Sequence, residues 1–168
     1  MGVFPPIGEA GGQEVFQKYQ QSPEYQKINM GMSIGEFKRI FWFEYGHRML
    51  GRLIGLVFAL PFAFFLIKRA ITRSLFPKLL VLFVLGGAQG VIGWWMVKSG
   101  LVDRPDVSHY RLTTHLGMAF LLYVALIWTG LSQIRNTERS NLGMPAWSCL
   151  ALMGLIYCTV LSGGLVAG

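Results

Sequence analysis

Charge is scarce in this sequence. Asp, Glu, Lys and Arg make up 14% of its 168 residues, whereas soluble domains run near ~25%, and that shortfall excludes an ordinary soluble globular domain. Acid is the scarcer sign: 8 acidic residues against 15 basic ones leave a net charge of +7. Such a balance raises nucleic acid as a partner. There are, however, no Lys/Arg blocks interleaved with aromatics on a polar background, so nucleic-acid binding is set aside. The bases sit between or beside apolar runs, as they do when Lys and Arg are retained on the inner side of a bilayer. Cysteine is almost missing. Cys149 and Cys158 fall in one apolar run, on a helix about two and a half turns or ~13 Å apart, too far for a disulfide within that helix. Both are expected to be buried small hydrophobes. Met1 to Gly12 have neither the basic start nor the apolar core of a secretory signal. Either the first span serves as the signal, or the chain begins partway through a longer protein.

What is abundant is long apolar sequence. Hydrophobic residues form 53% of the chain, with a mean hydropathy of +0.47. Four runs approach the ~20 residues that a bilayer requires. The expected architecture is all-α: a transmembrane helical bundle of four spans, at about 37–67, 79–97, 110–131 and 145–166. Residues 1–36 are polar and read as an extramembrane segment, with a short amphipathic helix around Gln13–Gln21 carried by Val15, Phe16 and Tyr19. Ser33-Ile34-Gly35-Glu36 fits a capping box and starts the first long helix near Ser33. Lys68, Arg69, Arg73 and Pro77-Lys78 end it. The loop over 68–78 is basic, and the loop from Gln133 to Asn141 carries Arg135, Glu138 and Arg139. By the positive-inside bias both face inward, which leaves residues 1–36 and the loop 98–108 on the outer side.

Inside the first span lies the cluster Glu44-Tyr45-Gly46-His47-Arg48. Ionisable groups at membrane depth are costly unless paired, solvated or bound, so they default to functional candidates. Glu44 and His47 share a helix face. Spans one and three run in the same direction, and His47 and His115 each lie roughly 8–15 Å inside the outer end at ~1.5 Å per residue. A lone histidine on an apolar face is usually a satisfied core residue. Two level histidines beside an acid and an arginine instead favour a ligand held between two helices. Haem iron accepts neutral imidazole and suits a flat apolar slot; zinc would need further ligands at that depth. Glu44 has two readings, an i,i+4 partner for Arg48 or a proton-transfer acid. Arg48, Arg52 and Arg111 either snorkel to lipid phosphate or clamp the carboxylates of a porphyrin. His109, at a loop–helix junction, is expected to be exposed. Gly51-x-x-x-Gly55, Gly86-x-x-x-Gly90 and Gly163-Gly164 read as tight helix contacts, Gln89 as an interhelical hydrogen bond, and Phe62, Phe64 and Phe65 as lipid-facing or core.

Three stretches together carry a family resemblance: Glu44 to Arg52 (EYGHRMLGR), Gly90 to Leu101 (GVIGWWMVKSGL) and Val107 to Leu116 (VSHYRLTTHL). The chain closely resembles haem A synthase of the mitochondrial and alphaproteobacterial type, from Pro5 to Gly168. The resemblance implies an eight-helix membrane protein of two four-helix halves, each with a pair of haem-ligating histidines. It implies oxidation of the C8 methyl of haem O to a formyl group by successive hydroxylations, giving haem A for cytochrome oxidase. By this match His47 and His115 are the iron ligands of the amino-terminal half, Glu44 is the essential acid beside that haem, and haem B belongs to the other half. His109 stands where another polar residue is usual.

Laid along the family pattern, the chain is expected to be a fragment, beginning in the loop after the first family helix and ending with the fifth. Implied partners are membrane lipid, haem O, haem O synthase and an electron donor. Pairing with a second copy, as a homo-oligomer, stays open. So does the choice between a bacterial plasma membrane and a mitochondrial inner membrane. Two rival readings remain: a four-helix haem-binding electron carrier, and an inactive structural or assembly fragment.

Overall fold

The computed structural model describes residues 5–6, 8–100, 107–134 and 146–167. All regular structure among them is helical: α1 (Gly8–Gln20), α2 (Pro23–Lys27), α3 (Ile34–Ile67), α4 (Phe76–Gly100), α5 (His109–Ile134) and α6 (Ala146–Ala167). The expected fourth-span start at Pro145, the charged loop residues Arg135, Glu138 and Arg139, residues 101–106, and Gly168 lie outside the described residues. So do Met1 to Phe4 and Ile7.

Four of these helices are long and apolar enough to cross a membrane. Their sides carry exposed Leu, Val, Ile, Phe and Trp along their length, a surface that water would not tolerate but lipid does. The protein is an integral membrane protein.

The element boundaries follow from local chemistry. Ser33 caps α3 as its sequence predicts: its amide donates to Glu36 Oε2 at 2.8 Å and its Oγ accepts from the Glu36 amide at 3.4 Å, closing the reciprocal box. At the far end Arg69 adopts a positive φ of 51°, where the amides of Arg69 and Ala70 bond back to Leu66 and Phe65 and satisfy carbonyls left over by the last turn. α4 begins at Phe76, three residues before its expected start at Leu79. Pro77 therefore lies in its first turn, where the missing N–H breaks no helical bond. Pro61 falls inside α3, and the helix continues through it. Around it Phe58 and Phe62 pack on Phe83 of α4, with ring centroids 6.2 and 5.9 Å apart, and Phe62 also meets Phe76. Phe64 and Phe65 face outward.

Each spanning helix packs against its neighbours in the chain. α5 lies between α4 and α6, whereas α3 meets only α4 and, at its start, α1. Within the described residues no Cα of α3 comes within 8 Å of a Cα of α5 or α6.

The polar amino-terminal segment forms a small cap on the start of α3. The amphipathic helix starts at Gly8 rather than Gln13, and a second, unforeseen helix follows it. Ser22 caps that helix by accepting from the Tyr25 amide. Phe16 and Tyr19 of α1 pack on Phe37 with centroids 5.1 and 4.9 Å apart, and Tyr25 closes edge-on against both. Phe37 and Phe41 are consequently the best-buried residues of α3, at 2% and 5% exposure. Burial pushes the Tyr19 phenol above its ordinary value, and Asn29 donates to its oxygen at 2.8 Å.

Candidate functional site

Glu44, His47 and Arg48 follow the capped turns of α3 directly. Phe41 and Tyr45 stack at 5.9 Å with an 11° interplanar angle, so the aromatic cap reaches the turn that holds the acid. Arg48 Nη2 approaches Glu44 Oε2 at 3.4 Å, with the two side chains 36% and 44% exposed. This is the i,i+4 pair that the spacing allows, loose rather than locked. One turn further on, Arg52 Nη1 points at Met49 Sδ, 3.7 Å away. His47 lies on the exposed surface of α3.

His115 stands in different surroundings. Its helix, α5, is flanked on both sides, and its ring is seated over Gly93 of α4. A Cβ built at Gly93 would lie 2.8 Å from His115 Cε1, 3.3 Å from Nε2 and 3.4 Å from Nδ1, so the glycine makes the space that the imidazole fills. One turn before Gly93, Gln89 Nε2 donates to the His115 carbonyl at 2.9 Å, which is the interhelical bond expected of it. Arg111, one turn before His115, lies over the Trp95 ring at 4.7 Å, a cation–π contact. His109 is exposed, as expected, and lies against Tyr110 with centroids 4.4 Å apart.

The helices that carry the two histidines, α3 and α5, are not in contact. His47 follows the start of α3 by roughly three and a half turns and His115 follows the start of α5 by roughly one and a half. The surplus on α3 is the stretch covered by α1. Helices packed directly lie ~8–10 Å apart axis to axis. α3 and α5 are farther apart than directly packed helices.

The structure corrects three expectations about packing. Cβ atoms built at Gly51, Gly55, Gly86, Gly90 and Gly163 meet nothing within 4 Å, so both G-x-x-x-G pairs are open. Of the Gly163-Gly164 pair, Gly164 makes the expected tight contact, and the others fall at Gly93 and Gly117. At Gly117 an added Cβ would meet Leu161 at 2.7 Å and the Tyr157 hydroxyl at 3.1 Å, and at Gly164 it would meet Thr113 Oγ1 at 2.9 Å. Cys149 and Cys158, expected to be buried, are exposed on α6 and form no disulfide; an apolar helix covered on one side only presents its other positions to lipid. A cavity of about 390 Å³ lined by Leu66, Arg69, Ile71, Arg73 and Phe76 lies at the opposite end of α3 from His47.

Sequence reasoning quoted Gly93 within a motif without giving it a task. Its i,i+4 spacing from Gln89 puts both on one face of α4, and that was the available signal.

Fold and site define a class: an all-helical integral membrane protein with titratable residues on two spanning helices that do not touch. Comparison with known proteins narrows it. The sequence profile of the COX15-CtaA family, cytochrome oxidase assembly protein, matches residues 1–168. Relatives named heme A synthase include those of Parvibaculum lavamentivorans, 51% identical over 99% of this chain, and Nitrosospira multiformis, 50% identical over all of it. The relative from Nitrosomonas eutropha is 51% identical, again over the whole chain. The chain spans about half the length of these curated relatives, 48–49%. No solved structure gives a significant match. The chain belongs to the COX15-CtaA family.

Proposed function

We propose that this chain forms the haem O-binding part of a haem A synthase, with His47 and His115 as the two iron ligands. The observation that carries the reading is the seat that Gly93 makes for the His115 ring, on a helix that does not touch the one bearing His47. The donor set suits iron in a porphyrin: two imidazoles, one of them half-buried with a buried Nδ1 that lacks a hydrogen-bond partner, and a ring seat shaped by Gly93. Iron held there would supply redox chemistry, and the four-electron oxidation of the C8 methyl of haem O to a formyl group would draw on oxygen or an oxidant derived from it.

The chain's own residues then do the following. His47 and His115 fix the plane of the macrocycle. Glu44, on the face of α3 that carries His47, holds or takes a proton near the reacting methyl, and its loose pairing with Arg48 leaves the carboxylate available for that exchange. Arg111 lies in the first turn of α5, and Arg48 and Arg52 follow Glu44 on α3 by about one and two turns; guanidinium forks at these positions suit propionate carboxylates. The Trp95 face holds Arg111 in place. Haem O synthase as the supplier of substrate and a separate electron donor complete the proposed partners, and residues 1–36 form the extramembrane outer side.

Pigment extraction from the membrane-purified protein tests the reading. Wild type yields haem O and haem A, and His47→Ala yields no haem A. An unchanged haem A yield in His47→Ala contradicts it, and extraction of haem B alone from the wild type favours an electron carrier.

A further inference from the structure

Among the described residues, two buried side-chain polar atoms lack a hydrogen-bond partner: Gln89 Oε1 and His115 Nδ1. They are complementary, because an amide oxygen only accepts and a neutral imidazole nitrogen can donate. They also belong to side chains that already meet. Gln89 Nε2 donates to the His115 carbonyl, and Gly93, on the same face of α4, touches the His115 ring. The orientation of the amide is fixed by chemistry: the atom facing a carbonyl oxygen at 2.9 Å has to be the nitrogen. Oε1 is therefore the end left over, next to the residue whose Nδ1 is also left over.

We propose that Gln89 is the positioning residue for His115: its Oε1 accepts the Nδ1–H and so presents the Nε2 lone pair to the iron. Both side chains are already anchored beside each other, Gln89 by its Nε2 on the His115 carbonyl and the His115 ring by the Gly93 seat. The consequence is a choice of tautomer. Neutral imidazole in water favours the proton on Nε2, which would occupy the ligating nitrogen. An acceptor at Nδ1 reverses that preference, as the outer-shell partners of metal-bound histidines generally do. Gln89 acts through His115 and touches no substrate atom. The assignment of the tautomer stands on the α4–α5 geometry alone; its meaning for iron rests on the haem reading above.

The test separates the two. In the haem-free protein, ¹⁵N spectra of labelled histidine, with the His115 signals assigned by their loss in His115→Asn, are expected to show Nδ1 protonated and Nε2 bare. In Gln89→Leu the proton moves predominantly to Nε2, while Gln89→Glu retains it on Nδ1. A His115 tautomer that is the same in wild type and Gln89→Leu overturns the proposal, whether or not haem binds. In the haem-loaded protein, Gln89→Glu lowers and Gln89→Leu raises the midpoint potential relative to wild type, because the carboxylate makes the ligand more basic and the leucine less so. Equal potentials in all three also overturn it. A preserved tautomer difference in a protein that takes up no haem instead refutes the haem reading and leaves the role of Gln89 intact.

Discussion

His47 and His115 sit on helices held in opposite ways. α5 is pressed between α4 and α6, with glycines at its contacts and its histidine ring bedded on Gly93. α3 touches α4 and the amino-terminal cap, and the turn that carries His47 is open. One side of the site is thus built to hold a ring still, and the other leaves an acid, an imidazole and an arginine facing outward. On the proposed haem reading, the packed side would hold the ring and the open side would present the titratable groups.

The same substitution on the two helices gives the sharpest contrast. Gly93→Ala drives a methyl into the His115 ring, an overpacking of about 1–3 kcal/mol concentrated on a ligand. Haem content of the purified protein is expected to fall at least about tenfold, the equivalent of ~1.4 kcal/mol. Gly46→Ala, beside His47, meets nothing within 4 Å and improves helix propensity, so haem content should stay at the wild-type level. Equal losses from the two changes would erase the distinction.

The cap offers a second contrast, outside the site. Phe37→Ala removes the ring on which Phe16 and Tyr19 rest, at a cost of about 3–5 kcal/mol for a buried phenylalanine. That exceeds what a two-helix segment of this size retains. Limited proteolysis should then cut between Gln20 and Ser33 while α4 to α6 stay protected. Cleavage no faster than in wild type would mean that the cap is held by something else.

On the packed side, Gly164→Ala sets a methyl against Thr113, backbone included, and is expected to lower the stability of the α5–α6 pair by about 1–3 kcal/mol. Gly163→Ala, one residue earlier and open, serves as its control in a thermal melt. The smallest change is Ser33→Ala, which removes one side of the capping box and costs about 1 kcal/mol. It should loosen the start of α3 in hydrogen exchange without altering haem content.

These contrasts also mark what was legible in the sequence. Apolar run length placed the spanning helices to within a few residues, because length and composition dominate in a bilayer. The Ser33–Glu36 box set the start of α3, since capping is decided by four adjacent residues. The Gln89 bond was foreseen because a lone amide in an apolar helix has to find a partner. The glycines were misread: G-x-x-x-G spacing shows that a helix could be approached closely, not that a neighbour is there. Gly93 came to matter through α5, which no local pattern in its own helix encodes, whereas the Gly163-Gly164 pair did point to the tight contact at Gly164. The length of α1 was missed because its first turn, Gly8 to Gly12, is rich in poor helix formers and Pro6 packs against Gly11.

The central claim, that His47 and His115 bind one iron between α3 and α5, is tested most directly by near-infrared magnetic circular dichroism of the haem-loaded protein. Intensity in the bis-imidazole band should fall by the same amount in His47→Ala, in His115→Ala and in the double variant, because either loss breaks the same pair. Losses that add in the double variant, or a band unchanged in both single variants, would contradict it.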